Sequence, residues 1–215
     1  MLDPISSWQD YSRFLIGLIA ILDPFIAVPI FLSLTVNRSA EERSRTVRVI
    51  TMTVLAVLVG ASVAGEAILQ LMGGSLASFR VGGGLVLLLM ALAMLNARAG
   101  DVRQTAQEAS EMEQSNGLGV VPLAIPLLAG PGAISTVIVA SHGGGLLHRL
   151  IVIVCVVLAC AVLWLILRLA APVGRRMGTT GLNIATRLLG LLLSAIAIQT
   201  MAAGLIQLFP GLGGG

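Results

Sequence analysis

Six runs of about 20 predominantly apolar residues constrain the fold of this chain more than any other feature. They cover the ranges 13–36, 48–70, 79–97, 118–141, 149–171 and 186–209. An α-helix of roughly 20 residues crosses the hydrocarbon core of a bilayer. Because 57% of the residues are hydrophobic and only 11% are charged, a water-soluble fold could not bury the apolar excess. The sequence therefore predicts an all-α membrane protein with six transmembrane helices.

All 13 cationic residues are arginines, which excludes the phosphate-binding lysine of Walker-type ATPases and any lysine chemistry. The connections after the first, third and fifth runs hold ten of them: Arg38, Arg43, Arg45, Arg48, Arg98, Arg103, Arg168, Arg175, Arg176 and Arg187. The opposite side has Arg13, Arg80 and Arg149. Since cytoplasmic loops carry the excess of arginine, we expect both termini outside the cell, in the periplasm. These arginines indicate membrane topology, and no nucleic-acid partner is expected.

The chain is expected to be a single transmembrane domain over residues 1–215. We expect one repeat over about 13–97, a polar cytoplasmic linker over 98–117 and a second repeat over about 118–209. The segment beginning Met1-Leu-Asp-Pro lacks a basic region ahead of a short apolar one, so we expect the first run to be a mature helix.

An offset of 107 positions aligns several residues of the two halves. The aligned pairs are Pro24 with Pro131, Gly74 with Gly181, Arg80 with Arg187, Gly83 with Gly190 and Met94 with Met201. Because each half has three spans, the second half enters the membrane from the opposite side. The sequence thus predicts two inverted three-helix repeats, an architecture that recurs in secondary transporters and in some channels.

The dipeptide Asp23-Pro24 interrupts the first apolar run about ten residues from its start, near the bilayer midplane. An acid at that depth costs roughly 2.5–3.5 kcal/mol on insertion scales. Proline removes a backbone donor, and aspartate before proline is a favourable helix start. We therefore expect helix 1 to be broken into two half-helices and Asp23 to be a binding or ion-coupling residue. The alternative is a packing kink with a protonated or paired aspartate.

The sequence Gly130-Pro131-Gly132-Ala133 interrupts the fourth run at the equivalent position. We expect helix 4 to be broken here, with the amides of Gly132, Ala133 and Ile134 free to bind a carboxylate. The two half-helix starts are then expected to face each other at the midplane. Two interruptions at corresponding positions are the best sequence indication of a transporter site. The alternative interpretation is again a pair of packing kinks.

Further polar residues have less specific roles. Glu66 and Arg80 are expected to form a structural ion pair, with a proton-relay role for Glu66 as the alternative. Arg187 is expected to extend to the lipid headgroups. His142 and His148 are placed in an outer Gly-rich loop without a Cys or acidic partner at ligand spacing, so no metal site is expected. Because the sequence has no Ser–His set, paired Asp or HExxH motif, no catalytic residue is predicted and the chain is not expected to be an enzyme.

Four segments of the sequence resemble the MarC family of bacterial inner-membrane proteins, which overlaps the small neutral amino acid transporter group. These segments are ILDPFIAVPIFL from Ile21, FRVGGG from Phe79, VPLAIPLLAGPGAI from Val121 and RLLG from Arg187. The likeness covers nearly the whole chain in order. It implies six spans, a location in the bacterial inner membrane and ion-driven secondary transport of amino acids such as glycine or alanine.

These observations predict a carrier that binds a small zwitterionic amino acid between the two half-helices. Its carboxylate is expected on the amides after Pro131, and its ammonium near Asp23 and the carbonyl groups freed by Pro24. Asp23, aided by Glu66, is expected to bind the coupling ion, H⁺ or Na⁺; no other cofactor is predicted. The expected partners are the amino acid and the lipid bilayer, and a homo-oligomer is left open. The alternatives are an efflux carrier for hydrophobic compounds and a non-transporting membrane assembly or regulatory protein.

Overall fold

A computed structural model describes residues 8–35, 38–71, 75–96, 128–143 and 145–213. Every regular element in these ranges is a helix. The seven α-helices are α1 (Trp8–Leu22), α2 (Pro24–Leu34), α3 (Ala40–Leu71), α4 (Leu76–Asn96), α5 (Pro131–Ser141), α6 (Leu146–Arg168) and α7 (Ala170–Leu208). A short 3-10 helix, Pro210–Gly213, follows α7. The predicted linker over 98–117 and the first part of the predicted fourth span, 118–127, lie outside the described residues.

Five stretches of helix are long and apolar enough to cross a membrane: Trp8–Leu32, Ala40–Gly65, Leu76–Asn96, Leu146–Arg168 and Ala170–Leu208. The helix α5, Pro131–Ser141, is apolar but shorter. Large apolar side chains are exposed on the outer faces of these helices, among them Leu89, Val154 and Leu191. Such surfaces are stable in lipid and not in water. The fold is thus that of a multi-pass α-helical membrane protein.

The first predicted span consists of two helices that meet at Asp23. Asp23 has φ 34° and ψ 69°, which is the left-handed region, and the Asp23 Oδ1 accepts the backbone N–H of Ile26 at 3.4 Å. Aspartate tolerates this backbone conformation better than most residues because its short side chain bonds locally. Pro24 then opens α2, where its fixed φ suits a first helical position. The interruption predicted from Asp23-Pro24 is present in the structure.

The helix α3 begins eight residues before the predicted span 48–70, at Ala40. Ser39 and Glu42 form a capping box, in which Ser39 N–H donates to Glu42 Oε2 at 2.7 Å and Glu42 N–H donates to Ser39 Oγ at 3.2 Å. This reciprocal pair satisfies backbone donors at the helix start. The polar first turns extend the helix beyond its apolar portion, so an apolar window alone placed the start too late.

The last helix is also longer than the predicted span 186–209. It begins at Ala170 and contains one non-helical residue, Gly178, with φ 60° and ψ −176°. Since a positive φ is easily adopted only by glycine, Gly178 forms a kink that divides α7 into two helical parts, residues 170–177 and residues 179–208. The prediction that His148 lies in a loop is wrong, because His148 belongs to the first turn of α6.

The helices α4 and α7 cross in close contact through small residues. A Cβ atom added to Gly84 would lie 2.5 Å from Met201 Cγ, and one added to Gly190 would lie 2.9 Å from Met94 Cβ. Glycines at such points let helix backbones approach closely, which favours association inside a membrane. The helix α2 packs mainly on α7 and α6, while α5 packs mainly on α3 and α4.

Candidate functional site

The Asp23 carboxyl group is buried inside the helical bundle, with 4% of the residue exposed. Its Oδ1 caps α2, and the Thr186 hydroxyl of α7 lies beside the carboxyl group. Its Oδ2 has no hydrogen-bond partner within the part of the chain that the structure describes. A buried carboxyl oxygen without a donor is costly, which makes Asp23 a candidate binding position for a proton or a cation.

The start of α5 is the second candidate region. Gly130 is extended, with φ −65° and ψ 175°, and Pro131 is the first helical residue. The N-cap residue Gly130 has no side chain with which to cap this helix. The Ile134 N–H donates to the Gly130 carbonyl at 3.1 Å. The prediction of a free Ile134 amide is therefore wrong, since that donor closes the first turn of α5.

The start of α5 packs directly against α4. A Cβ atom on Gly132 would lie 2.9 Å from Leu87 Cδ2 and 3.0 Å from Met90 Sδ. Gly132 and Ala133 are buried, whereas Pro131 is exposed. The apolar side chains of Leu87 and Met90 thus occupy the space beside Gly132.

A cavity of about 310 Å³ lies between α1, α4, α5 and α7. It is reached where α1 and α4 begin and where α5 and α7 end, so these four ends share one face of the bundle. Its lining residues are Asp10, Arg13, Phe14, Gly17, Phe79, Arg80, Gly83, Leu87, Ser135, Thr136, Val139, Ala140, His142, Ile196, Gln199, Thr200 and Ala203. Neither Pro24 nor Pro131 lines this cavity. Leu87 both lines this cavity and lies beside Gly132 at the start of α5.

All four helices contribute polar groups to this cavity, and those of α7 are Gln199 and Thr200. Arg13 and Asp10 form an ion pair at 3.7 Å near its mouth, where the Arg13 side chain is 73% exposed. Ser135 Oγ and Thr136 Oγ1 both donate to the Gly132 carbonyl, at 3.0 Å and 2.8 Å. Arg80 is half-buried, and its Nε has no hydrogen-bond partner among the described residues. These groups make the cavity a candidate site for a small polar ligand.

A second cavity of about 260 Å³ lies at the opposite ends of the helices. It is bounded by the end of α2, the start of α3, the end of α6 and the start of α7, and its lining includes Arg43, Ser44 and Arg168. Arg43 Nε donates to the Thr35 carbonyl at 2.9 Å and thereby holds the end of α2. The bundle therefore has a recess at each face.

The other charged residues of the sequence prediction are placed as follows. Glu66 lies in α3, but its side chain is outside the described part of the structure, so the Glu66–Arg80 pair stays a prediction. Arg187 lies in α7 and is exposed. Within the described ranges, no group of three or more His, Cys, Asp or Glu residues is arranged to bind a metal ion.

Sequence reasoning missed a hydrogen-bond bridge between three helices. His148 Nε2 lies 2.7 Å from the Ala140 carbonyl of α5, and His148 Nδ1 lies 2.7 Å from the Tyr11 hydroxyl of α1. Because a carbonyl oxygen only accepts, Nε2 donates, and in a neutral imidazole Nδ1 then accepts from Tyr11. The signal that could have found it is a histidine directly before an apolar run, because a ring that is buried at a helix start needs hydrogen-bond partners.

A helical bundle with lipid-facing apolar surfaces, an interrupted first span and a buried intramembrane acid defines an integral membrane protein. Residues 8–209 match the model of the MarC family integral membrane proteins, and the chain belongs to that family. Among its relatives is the UPF0056 membrane protein YhcE of Escherichia coli, which is 36% identical over an alignment of 215 positions that covers 99% of each chain.

Two further relatives come from distant organisms. The UPF0056 membrane protein MJ1677 of Methanocaldococcus jannaschii is 36% identical over 88% of this chain and 92% of its own. The UPF0056 membrane protein YvbG of Bacillus subtilis is 34% identical over 91% of this chain and 93% of its own. No solved structure matches this chain.

Proposed function

We propose that this protein is a secondary active transporter of small neutral amino acids such as glycine and alanine, coupled to H⁺ or Na⁺. The observation that carries the proposal is the interruption between α1 and α2, which holds a buried Asp23 inside a membrane span. Interrupted helices with polar groups at mid-depth are a recurring way to form substrate and ion sites in secondary transporters. No enzymatic step or further cofactor is part of this proposal.

Two inverted repeats are the architecture that we propose for the bundle. The helices α2 and α5 each have 11 residues and begin at Pro24 and Pro131, which are 107 positions apart. The contact of Met94 with Gly190 is mirrored, within one position, by the contact of Met201 with Gly84. These two correspondences support a pseudo-two-fold relation between the halves. In this arrangement, rocking one half against the other exposes a central site to each face in turn.

The proposed orientation follows from the arginines. The cavity opens on the face where α1 begins, which the positive-inside rule assigns to the periplasm of a bacterial inner membrane. The recess containing Arg43 and Arg168 then opens toward the cytoplasm. Leu87 closes the path from the periplasmic cavity to Gly132, so the substrate reaches the start of α5 only after Leu87 moves aside.

In the proposed cycle the substrate carboxylate binds the backbone amides of Gly132 and Ala133, which follow Gly130 and Pro131 at a helix N-terminus. The small residues there favour a small side chain. Asp23 binds the coupling ion, for which its Oδ2 and the neighbouring Thr186 hydroxyl supply oxygen atoms. Glu66 is a second candidate for this role, and the partners are an amino acid and the lipid bilayer.

A non-transporting membrane assembly protein is the second candidate function. It is favoured by the packing of Leu87 and Met90 against Gly132, which fills the space where the substrate carboxylate is proposed to bind. An efflux carrier for hydrophobic compounds is a weaker alternative, since the cavity lining includes Arg80, Ser135 and Thr136.

Counterflow in proteoliposomes tests the proposal. Liposomes containing the purified protein are loaded with unlabelled glycine or alanine and diluted into a trace of the labelled amino acid. A carrier exchanges the two, so the labelled amino acid rises transiently above its equilibrium level inside. We expect this overshoot with the protein and not with empty liposomes. Its absence for both amino acids would contradict the proposal and favour the assembly protein.

A further inference from the structure

Arg80 stands at the wall of the periplasmic cavity, near the start of a membrane span. It lies in the second turn of α4, and its Nε atom is buried without a hydrogen-bond partner among the described residues. An arginine inside a membrane span is expensive unless it is paired or hydrated, and so by default it indicates a functional site. A guanidinium group presents five N–H donors in a fork that matches a carboxylate.

The base of the Arg80 side chain is fixed by α7. A Cβ atom on Gly204 would lie 3.0 Å from Arg80 Cβ and 2.8 Å from the Ala77 carbonyl. The absence of a side chain at Gly204 therefore lets α4 and α7 touch beside Arg80. This contact fixes the base of the arginine side chain at the cavity wall, which its guanidinium group helps to line.

The part of the cavity wall formed by α5 presents hydrogen-bond acceptors, whereas Arg80 presents donors. Ser135 and Thr136 each use their only hydroxyl proton in a bond to the Gly132 carbonyl. Their oxygen atoms therefore present lone pairs and act as acceptors toward the cavity. The ion pair of Asp10 with Arg13 stands nearer the mouth and adds no net charge of its own.

From this distribution of charge we infer that the periplasmic cavity is a binding site for a small zwitterion, separate from the start of α5. The Arg80 guanidinium binds the ligand's carboxylate, and the hydroxyl oxygens of Ser135 and Thr136 accept hydrogen bonds from its ammonium group. The cavity volume of about 310 Å³ suits a small α-amino acid. This inference deepens the proposed function and rests on it for the choice of amino acids as ligands.

Isothermal titration calorimetry on the full chain in nanodiscs tests the site with three probes. Glycine carries both charges, acetate carries only the carboxylate and glycinamide carries only the ammonium. We expect Arg80→Gln to raise the Kd of glycine and of acetate at least tenfold. The Kd of glycinamide should stay unchanged. The matched control is Arg187→Gln, which removes the arginine 107 positions later on the exposed surface and should change each Kd less than twofold.

The double variant Ser135→Ala/Thr136→Val tests the part of the cavity wall that α5 forms. It should weaken glycine binding at least threefold and leave acetate binding unchanged. Thermal unfolding without ligand checks that each variant is folded. If Arg80→Gln does not fold, Arg80→Lys keeps the charge but loses the two-pronged contact, and it should raise the acetate Kd at least threefold. An unchanged Kd in the arginine variant, or no binding of glycine and acetate by the wild type, would overturn the inference.

Counterflow of the same variants separates the two proposals. An unchanged glycine Kd in Arg80→Gln, together with glycine exchange at the wild-type rate, contradicts the cavity site and leaves transport standing. Arg80-dependent binding in a wild-type protein that shows no exchange supports the cavity site and contradicts transport.

Discussion

Gly83 of α4 lies directly against Ser135 of α5, where the cavity is lined by both residues. A Cβ atom at position 83 would stand 2.7 Å from Ser135 Oγ and 2.8 Å from Ser135 Cβ. These separations are shorter than van der Waals contact, so the two helices approach as closely as they do because position 83 has no side chain. The neighbouring Gly82 is exposed and has nothing within 4 Å of the equivalent position.

Gly83→Ala should force α4 and α5 apart. Overpacking of this kind costs about 1–3 kcal/mol, which outweighs the gain of roughly 1 kcal/mol from replacing a helical glycine. We expect a lower unfolding temperature in nanodiscs and weaker glycine binding, since the Ser135 hydroxyl is displaced. Gly82→Ala is the matched control and should leave both quantities unchanged or raise the unfolding temperature. Equal behaviour of the two variants would show that the α4–α5 contact is not close.

Leu87→Ala should connect the cavity to the start of α5. Removing a buried leucine side chain costs about 2–5 kcal/mol in well-packed proteins, so the unfolding temperature should fall. Because the barrier beside Gly132 is removed, we also expect glycine to leak down its gradient without an ion gradient in proteoliposomes. Leu89→Ala removes a lipid-exposed leucine from the same helix and should change neither property. A destabilised Leu87→Ala protein without a leak would argue against a path past Leu87.

Asp23→Asn should uncouple substrate movement from the ion gradient. Asparagine can accept the Ile26 N–H as aspartate does, so α2 keeps its cap, but it offers no titratable or anionic group. We expect counterflow of glycine to persist and gradient-driven accumulation to fall at least tenfold. Asp23→Ala removes the cap as well and should cost about 1 kcal/mol more in stability. Undiminished accumulation in Asp23→Asn would remove Asp23 from ion coupling.

His148→Ala should loosen the contact between α5, α6 and α1. It leaves the Ala140 carbonyl and the Tyr11 hydroxyl without their 2.7 Å partner, and an unsatisfied buried polar group costs about 1–3 kcal/mol. Tyr11→Phe removes only one of the two bonds, so its loss of stability should be smaller. Thermal unfolding of both variants shows which of them loses more stability, and Leu147→Ala, at an exposed residue, is the control. A Tyr11→Phe protein that is less stable than His148→Ala would contradict the bridge.

The interruption at Asp23 could be predicted because it depends on local chemistry. An aspartate followed by proline inside an apolar run specifies a helix break regardless of its neighbours. The early start of α3 could also have been predicted, from Ser39 followed three residues later by Glu42. A search for apolar residues does not detect this polar capping box. The sequence prediction assigned His148 to the Gly-rich loop that precedes the predicted span 149–171. In the structure α6 begins earlier, at Leu146, directly after the last glycine of that loop.

The position of Leu87, which lines the cavity and lies beside Gly132, could not be predicted. Leu87 stands in a run of similar apolar residues, and its contact with Gly132 depends on the rotation and crossing of α4 and α5. The position of Arg80 is a second example. Its place near the start of a span suggested an ion pair with Glu66, whereas its position at the cavity wall depends on how α4 packs on α7.

Accumulation of labelled glycine by the wild-type protein in proteoliposomes, under an imposed H⁺ or Na⁺ gradient, tests the central claim most directly. The account predicts that the internal concentration exceeds the external one under at least one of the two gradients, and that the excess disappears when an ionophore collapses the gradient. Labelled glycine that never exceeds its external concentration under either gradient would contradict secondary active transport by this protein.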